Sequence, residues 1–151
     1  MADTLAINQR TLRESEDRYR SIIENASVGI FQTTPDGRYL SANRAGYEMW
    51  GFSSEEEMKE AILDLATQTY VNAEDRKRFK EIVERKGRVE NFEAEFYTKD
   101  KIKIWGSLNS RAIYGDGGQI KYYETFIQDI TDRKRAEEER LVLEAQLQQS
   151  Q

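Results

Sequence analysis

Chemistry in this chain would have to come from polar side chains that strand alternation points inward: Gln32 on an early strand, and Ser110 and Thr125 on two later ones. A buried amide or hydroxyl needs a hydrogen-bond partner, which is either a bound small molecule or the ordinary backbone group or buried water. Aromatic residues share the same inward positions: Tyr47 and Trp50 on a short helix, Phe79 on a later helix, and Phe92, Phe96 and Tyr123 on strands. Core packing is the common use of such rings, and the wall of a ligand pocket the functional one.

Other constellations carry less. Glu93 and Glu95 stand two apart, so a strand puts both on one face, and without a third ligand they read as a solvated edge rather than a metal or acid–base site. Gly115, Gly117 and Gly118 form a turn; no Lys-Ser or Lys-Thr pair follows, so they are no phosphate loop. The chain has no cysteine and no histidine. Disulfides, thiolate nucleophiles, thiolate metal sites and imidazole general bases are thereby excluded. No nucleophile and base stand together, so enzymatic activity is not expected, and no metal site is read.

The 151 residues suffice for one domain with extensions, and a net charge of −5 argues against a nucleic-acid surface. The basic cluster Arg133, Lys134, Arg135 is answered by Glu137, Glu138 and Glu139, which reads as charge pairing along a helix. No apolar run is long enough to span a membrane, and the first ten residues are no secretory signal. A reducing, cytoplasmic setting fits.

The positioning elements follow from pattern. Asp3 to Glu24 reads as a helix with a sparse seam at Leu5, Leu12 and Tyr19, whose second half is expected to pack on the domain. Val28–Thr33 and Arg38–Ala42 make a hairpin about the Pro35-Asp36-Gly37 turn. Asn43 caps a short helix, Ser53 or Ser54 a second, and Asn72 or Ala73 opens a longer one that Gly87 ends. Three strands follow, over Val89–Thr98, Ile102–Tyr114 and Ile120–Gln128. Pairing Phe96 with Ile104 and Ser110 with Thr125 keeps one apolar face inward through both hairpins and sets Arg111 opposite Glu124 outside. The outer face then carries Trp105, Ile113, Tyr122 and Phe126, which need a cover, either the N-terminal helix or a second copy of the chain. After Asp129, Ile130 and Thr131 the last strand runs into a charged helix, which Thr131 or Asp132 is placed to cap.

The Pro35-Asp36-Gly37 turn, the Asn43 step, the Trp105 strand and Asp129-Ile130-Thr131 before a basic–acidic helix, in that order, resemble the PAS sensor domains of bacterial signal-transduction proteins. The resemblance covers Arg18 to Arg135 and implies an α+β fold, a five-stranded antiparallel sheet in the order 2-1-5-4-3 with short helices over one face. It further implies an N-terminal flanking helix over residues 1–24, a PAS domain over 25–131 and a signalling helix over 132–151. Ala136 to Gln151 looks like the linker to a histidine kinase dimerisation helix or a diguanylate cyclase, so a missing output domain, a kinase first, is expected downstream.

Such relatives dimerise through the N-terminal helix and the outer sheet face, which here means Leu5, Leu12, Tyr19, Trp105, Ile113, Tyr122 and Phe126, and relay through Asp129, Ile130 and Thr131. Cysteine-adduct flavin and histidine-ligated haem are excluded by composition; haem through another ligand and non-covalent flavin are left open. The leading expectation is a small-ligand sensor that forms a homodimer. A ligand-free dimerisation module is the alternative, and an isolated enzyme the weakest.

Overall fold

The structure is a computed structural model that describes residues 2–150. Its order is α1 (Ala2–Asn25), β1 (Gly29–Thr33), β2 (Tyr39–Ala42), α2 (Arg44–Met49), α3 (Glu55–Ala61), α4 (Leu65–Gln68), α5 (Ala73–Lys86), β3 (Arg88–Tyr97), β4 (Lys103–Tyr114), β5 (Ile120–Asp129) and α6 (Thr131–Gln149). The strands form one antiparallel sheet in the order β2-β1-β5-β4-β3, with the short helices over its inner face.

Local chemistry sets most boundaries. Asn43, Ser54, Asp64 and Asn72 each cap a helix, accepting a hydrogen bond from a first-turn amide. Gly87 ends α5 at φ +78°, a left-handed conformation that costs glycine little. Three acids in the first turn of α3 complement its dipole.

Both meander hairpins take the registers that alternation dictates: Phe96 faces Ile104, Ala94 faces Gly106, Ser110 faces Thr125 and Arg111 faces Glu124. Gly106 leaves room where it is needed, since a Cβ there would lie 2.9 Å from the Phe96 ring. The core gathers Phe31, Trp50, Met58, Phe79, Val83, Phe96 and Tyr123 between sheet and helices. Rings meet at 4.8 to 5.7 Å in the run Tyr70–Phe96–Trp50–Phe31, within the range where aromatic pairs attract.

Two expectations need correction. The second half of α1 does not pack down as a face: Tyr19 is 56% exposed and Ile22 is exposed too. Only the last turn is held, where Asn43 Nδ2 donates to the carbonyl of Ile23 at 2.9 Å and of Val28 at 3.0 Å. Nor is α6 capped by Thr131 or Asp132. Ile130 occupies the cap position without a side-chain bond, and the Thr131 hydroxyl is engaged elsewhere.

Candidate functional site

Two places could carry function, a cavity under the inner face and the junction from which α6 leaves the sheet. The cavity is walled by Phe31, Thr33 and Tyr39 from β1 and β2, Trp50 after α2, Leu65, Thr69 and Tyr70 around α4, Arg76 and Phe79 from α5, and Phe96, Leu108, Thr125 and Ile127 from the meander. The space open to the centre of a water molecule is about 20 Å³, enough for one water or a comparably small guest.

Of the nine residues expected at a pocket, Trp50, Phe79, Phe96 and Thr125 line this cavity. Phe92, Ser110 and Tyr123 are buried in the inner face without lining it, and Tyr47 is half-buried at the core's margin. Gln32 belongs to the other side. It pairs with Glu124 across β1 and β5, borders an outer groove beside α1, and accepts a hydrogen bond from the Ser41 hydroxyl at 3.1 Å. Ser110 and Thr125 share a hydroxyl–hydroxyl bond of 2.8 Å, so each satisfies the other.

Other polar groups under the inner face are less well served. Trp50 Nε1, Thr69 Oγ1, Arg76 Nη2 and Tyr123 Oη are buried and have no hydrogen-bond partner among the described residues. Trp50 and Thr69 approach the Tyr39 hydroxyl without closing a bond to it. Burial pushes the Tyr70 phenol up to about 12, with Arg76 pulling against it, and pushes Tyr39 higher still. Both therefore stay neutral donors at physiological pH. Arg76 was not foreseen; its signal was the spacing Arg76, Phe79, Val83, which puts a cation on the buried stripe of α5.

The junction is a closed network. Asp129 Oδ1 accepts from the Thr131 amide at 2.9 Å and from its hydroxyl. That hydroxyl in turn accepts from the Trp105 amide at 3.0 Å, and the Ile130 amide donates to the Trp105 carbonyl at 2.9 Å. Of the three residues expected to relay, Ile130 and Thr131 thus bond the two backbone groups of Trp105, and Asp129 holds Thr131 in place. Lys134 Nζ lies 4.9 Å above the Trp105 ring, a cation–π contact that covers part of the indole.

Glu93 completes the clamp and corrects its reading as a solvated edge. Its carboxylate accepts from Arg133 at 2.7 Å and pairs with Lys134 at 2.5 Å. The hydrogen bond from Lys134, with the charge of Arg133 beside it, holds the Glu93 carboxyl below the usual glutamate range. Arg133 also lies 4.0 Å from Glu137, the intrahelical pairing expected of it, but the tie to β3 is shorter. No sequence spacing links positions forty apart; only the antiparallel meander brings them together.

On the outer face, Trp105, Ile113 and Tyr122 are half-buried and Phe126 is 38% exposed. Leu5, Leu12 and Tyr19 are exposed on α1, and beyond Thr131 no residue of α6 is fully buried, with Leu141, Leu143 and Leu147 exposed. No helix among the described residues is long and apolar enough to cross a membrane, and none of their His, Cys, Asp and Glu side chains cluster as a metal site would require.

The profile of the PAS domain family matches residues 27–132. This chain belongs to the PAS domain family. Among solved structures, the PAS domain of a protein from Colwellia psychrerythraea superposes with a TM-score of 0.64 at 21% identity, covering 77% of this chain and 97% of that one. The sensor histidine kinase TmoS of Ectopseudomonas mendocina is 24% identical over 127 residues, which are 84% of this chain and 13% of the kinase. The probable diguanylate cyclase DgcE of Escherichia coli is 22% identical over 130 residues, 86% of this chain and 12% of the cyclase. This PAS domain therefore spans about an eighth of the length of the curated relatives it matches.

Proposed function

We propose that this chain is the sensing and relaying segment of a longer bacterial signalling protein of the cytoplasm, with residues 25–131 as the sensing body. It converts occupancy of the inner cavity into a change in how α6 leaves the sheet, and α6 passes that change to an output domain. A histidine kinase is the first choice for that domain and a diguanylate cyclase the second, following what the two long relatives are called. The carrying observation is the junction: Trp105, Asp129, Thr131, Glu93 and Lys134 tie the first turn of α6 to β3, β4 and β5, whose inner faces pack on the core. A shift of β4 against β5 must move the helix or break those bonds.

Spin labels test the relay. The chain lacks cysteine, so single cysteines introduced at Lys101 and Gln146 take labels without competition. The expected distance distribution is narrow in the parent and broad when Thr131→Val and Glu93→Gln are combined. An unchanged distribution in that double variant would remove the relay.

A second reading has its own support. A cavity of about 20 Å³ is nearly filled by side chains, which suits a module that only dimerises, through Leu5, Leu12 and Tyr19 of α1 and through Trp105, Ile113, Tyr122 and Phe126 of the sheet. Sedimentation velocity on Phe126→Glu decides the sheet's part: association persisting at the parent's strength would exclude that face.

A further inference from the structure

Arg76 is a buried cation with which no carboxylate pairs among the described residues. It stands in the first turn of α5 and is 6% exposed. Its guanidinium carbon lies 5.3 Å from the ring centre of Phe79, 5.8 Å from Tyr123 and 6.0 Å from Tyr70. The adjacent acid, Asp75, is turned away to Arg78 at 3.2 Å. Aromatic faces stabilise a guanidinium in part, but a ring face cannot replace an in-plane oxygen acceptor, and Nη2 is buried without a partner among the described residues.

The same cavity wall holds Thr69 and Trp50, each 1% exposed, with Oγ1 and Nε1 likewise unpartnered. No carboxylate and no amide side chain lines the space. A chamber walled by one fixed cation and by the neutral donors of Thr69, Trp50, Tyr39 and Tyr70, without an anionic side chain, is complementary to an anion with oxygen acceptors. Its small volume excludes a flavin or a haem as the side chains stand.

Resting on the reading of this cavity as the sensory site, we propose that it binds a small carboxylate of formate or acetate size. Arg76 supplies the charged donor, Thr69 and Trp50 the neutral donors, and Phe31, Phe96 and Leu108 the apolar wall for any alkyl end. Removing the cation should therefore abolish binding without unfolding the domain, since a buried charge replaced by an apolar chain of similar length is often tolerated.

Thermal unfolding of the full chain is measured in sodium formate and sodium acetate, against sodium chloride of equal ionic strength and against acetamide as the neutral isostere. The expected result is a saturable rise in Tm with at least one carboxylate, absent with chloride and acetamide and lost in Arg76→Met. Thr69→Val should weaken half-saturation several-fold, and a contact from the acetate methyl protons to the Trp50 indole should be seen by NMR in the parent. Should Arg76→Met fail to fold, the Thr69→Val titration and the NMR contact decide.

Equal shifts in parent and Arg76→Met, or no shift with any carboxylate, would overturn the proposal and leave the cavity to a buried water. A rise given by acetamide in parent and variants alike would also overturn it while keeping the cavity as a ligand site, so the sensor reading survives that failure. The spin-label distances test the relay separately.

Discussion

Where the sheet meets α6, polar atoms are joined in two sets, Glu93 to Arg133 and Lys134 and Thr131 to Asp129 and to the Trp105 amide, and Lys134 over the Trp105 ring brings the sets together. Under the inner face the outcome is mixed. Ser110 and Thr125 satisfy each other, while Trp50, Thr69, Arg76 and Tyr123 each keep a buried polar atom without a partner among the described residues. A closed network holds geometry, because every displacement breaks a bond. An open one is receptive, because a guest that supplies the missing partners removes a desolvation penalty. One sheet thus joins a rigid exit to an unsatisfied chamber.

The comparison breaks most visibly through the inner face. Phe96 packs against Trp50 at 5.3 Å and Tyr70 at 4.8 Å, so Phe96→Ala should cost about 3–5 kcal/mol in urea unfolding, enough to test whether sheet and helices share one core. Asn43→Ala comes next. Asn43 accepts from the amides of Ile30 and Gly46 and donates to the carbonyls of Ile23 and Val28, so its loss should cost about 2–3 kcal/mol and expose the Ile30 and Gly46 amides to hydrogen exchange.

The next pair sharpens the contrast directly. Thr131→Val removes the partner of the Trp105 amide and should cost about 1–2 kcal/mol, with faster exchange at that amide. Tyr123→Phe removes a buried hydroxyl that has no partner among the described residues, so it should be neutral or stabilising by about 1 kcal/mol. If Tyr123→Phe destabilised as much as Thr131→Val, the distinction between the two faces would be lost.

The smallest effect is titration of the clamp. Glu93 has a folded pKa below its unfolded one, so its contribution is present above the ordinary glutamate range and is lost as pH falls through the lowered value. The NMR titration of its carboxyl carbon should have a midpoint below that of a free glutamate and return toward it in Lys134→Met. Partial exposure and salt screening keep the stability change small.

Legibility in the sequence followed the range of the forces involved. Asn43 and Gly87 could be assigned, and the caps at Ser54 and Asn72 narrowed to Ser53 or Ser54 and Asn72 or Ala73, because a cap is decided by a residue and the next three or four. The meander registers were legible because the outer face of β4 and β5 carries the pair Arg111 and Glu124, which a slip of one would turn toward the inner core. Gln32 was misplaced because β1 lacks that contrast: Ile30 and Phe31 are adjacent, both buried, and on opposite faces. With both faces apolar, alternation carries no parity.

The sequence by itself determined the strands, their pairings within the meander, most helix ends and the absence of thiol and imidazole chemistry, because each depends on nearest neighbours or on composition alone. Only the tertiary structure decided that Arg76 is buried against three rings, that Glu93 reaches a helix forty residues away, and that Thr131 serves Trp105 instead of capping α6. Those outcomes depend on where a twisted sheet brings distant side chains and on which volumes are already filled, quantities that no short window of sequence contains.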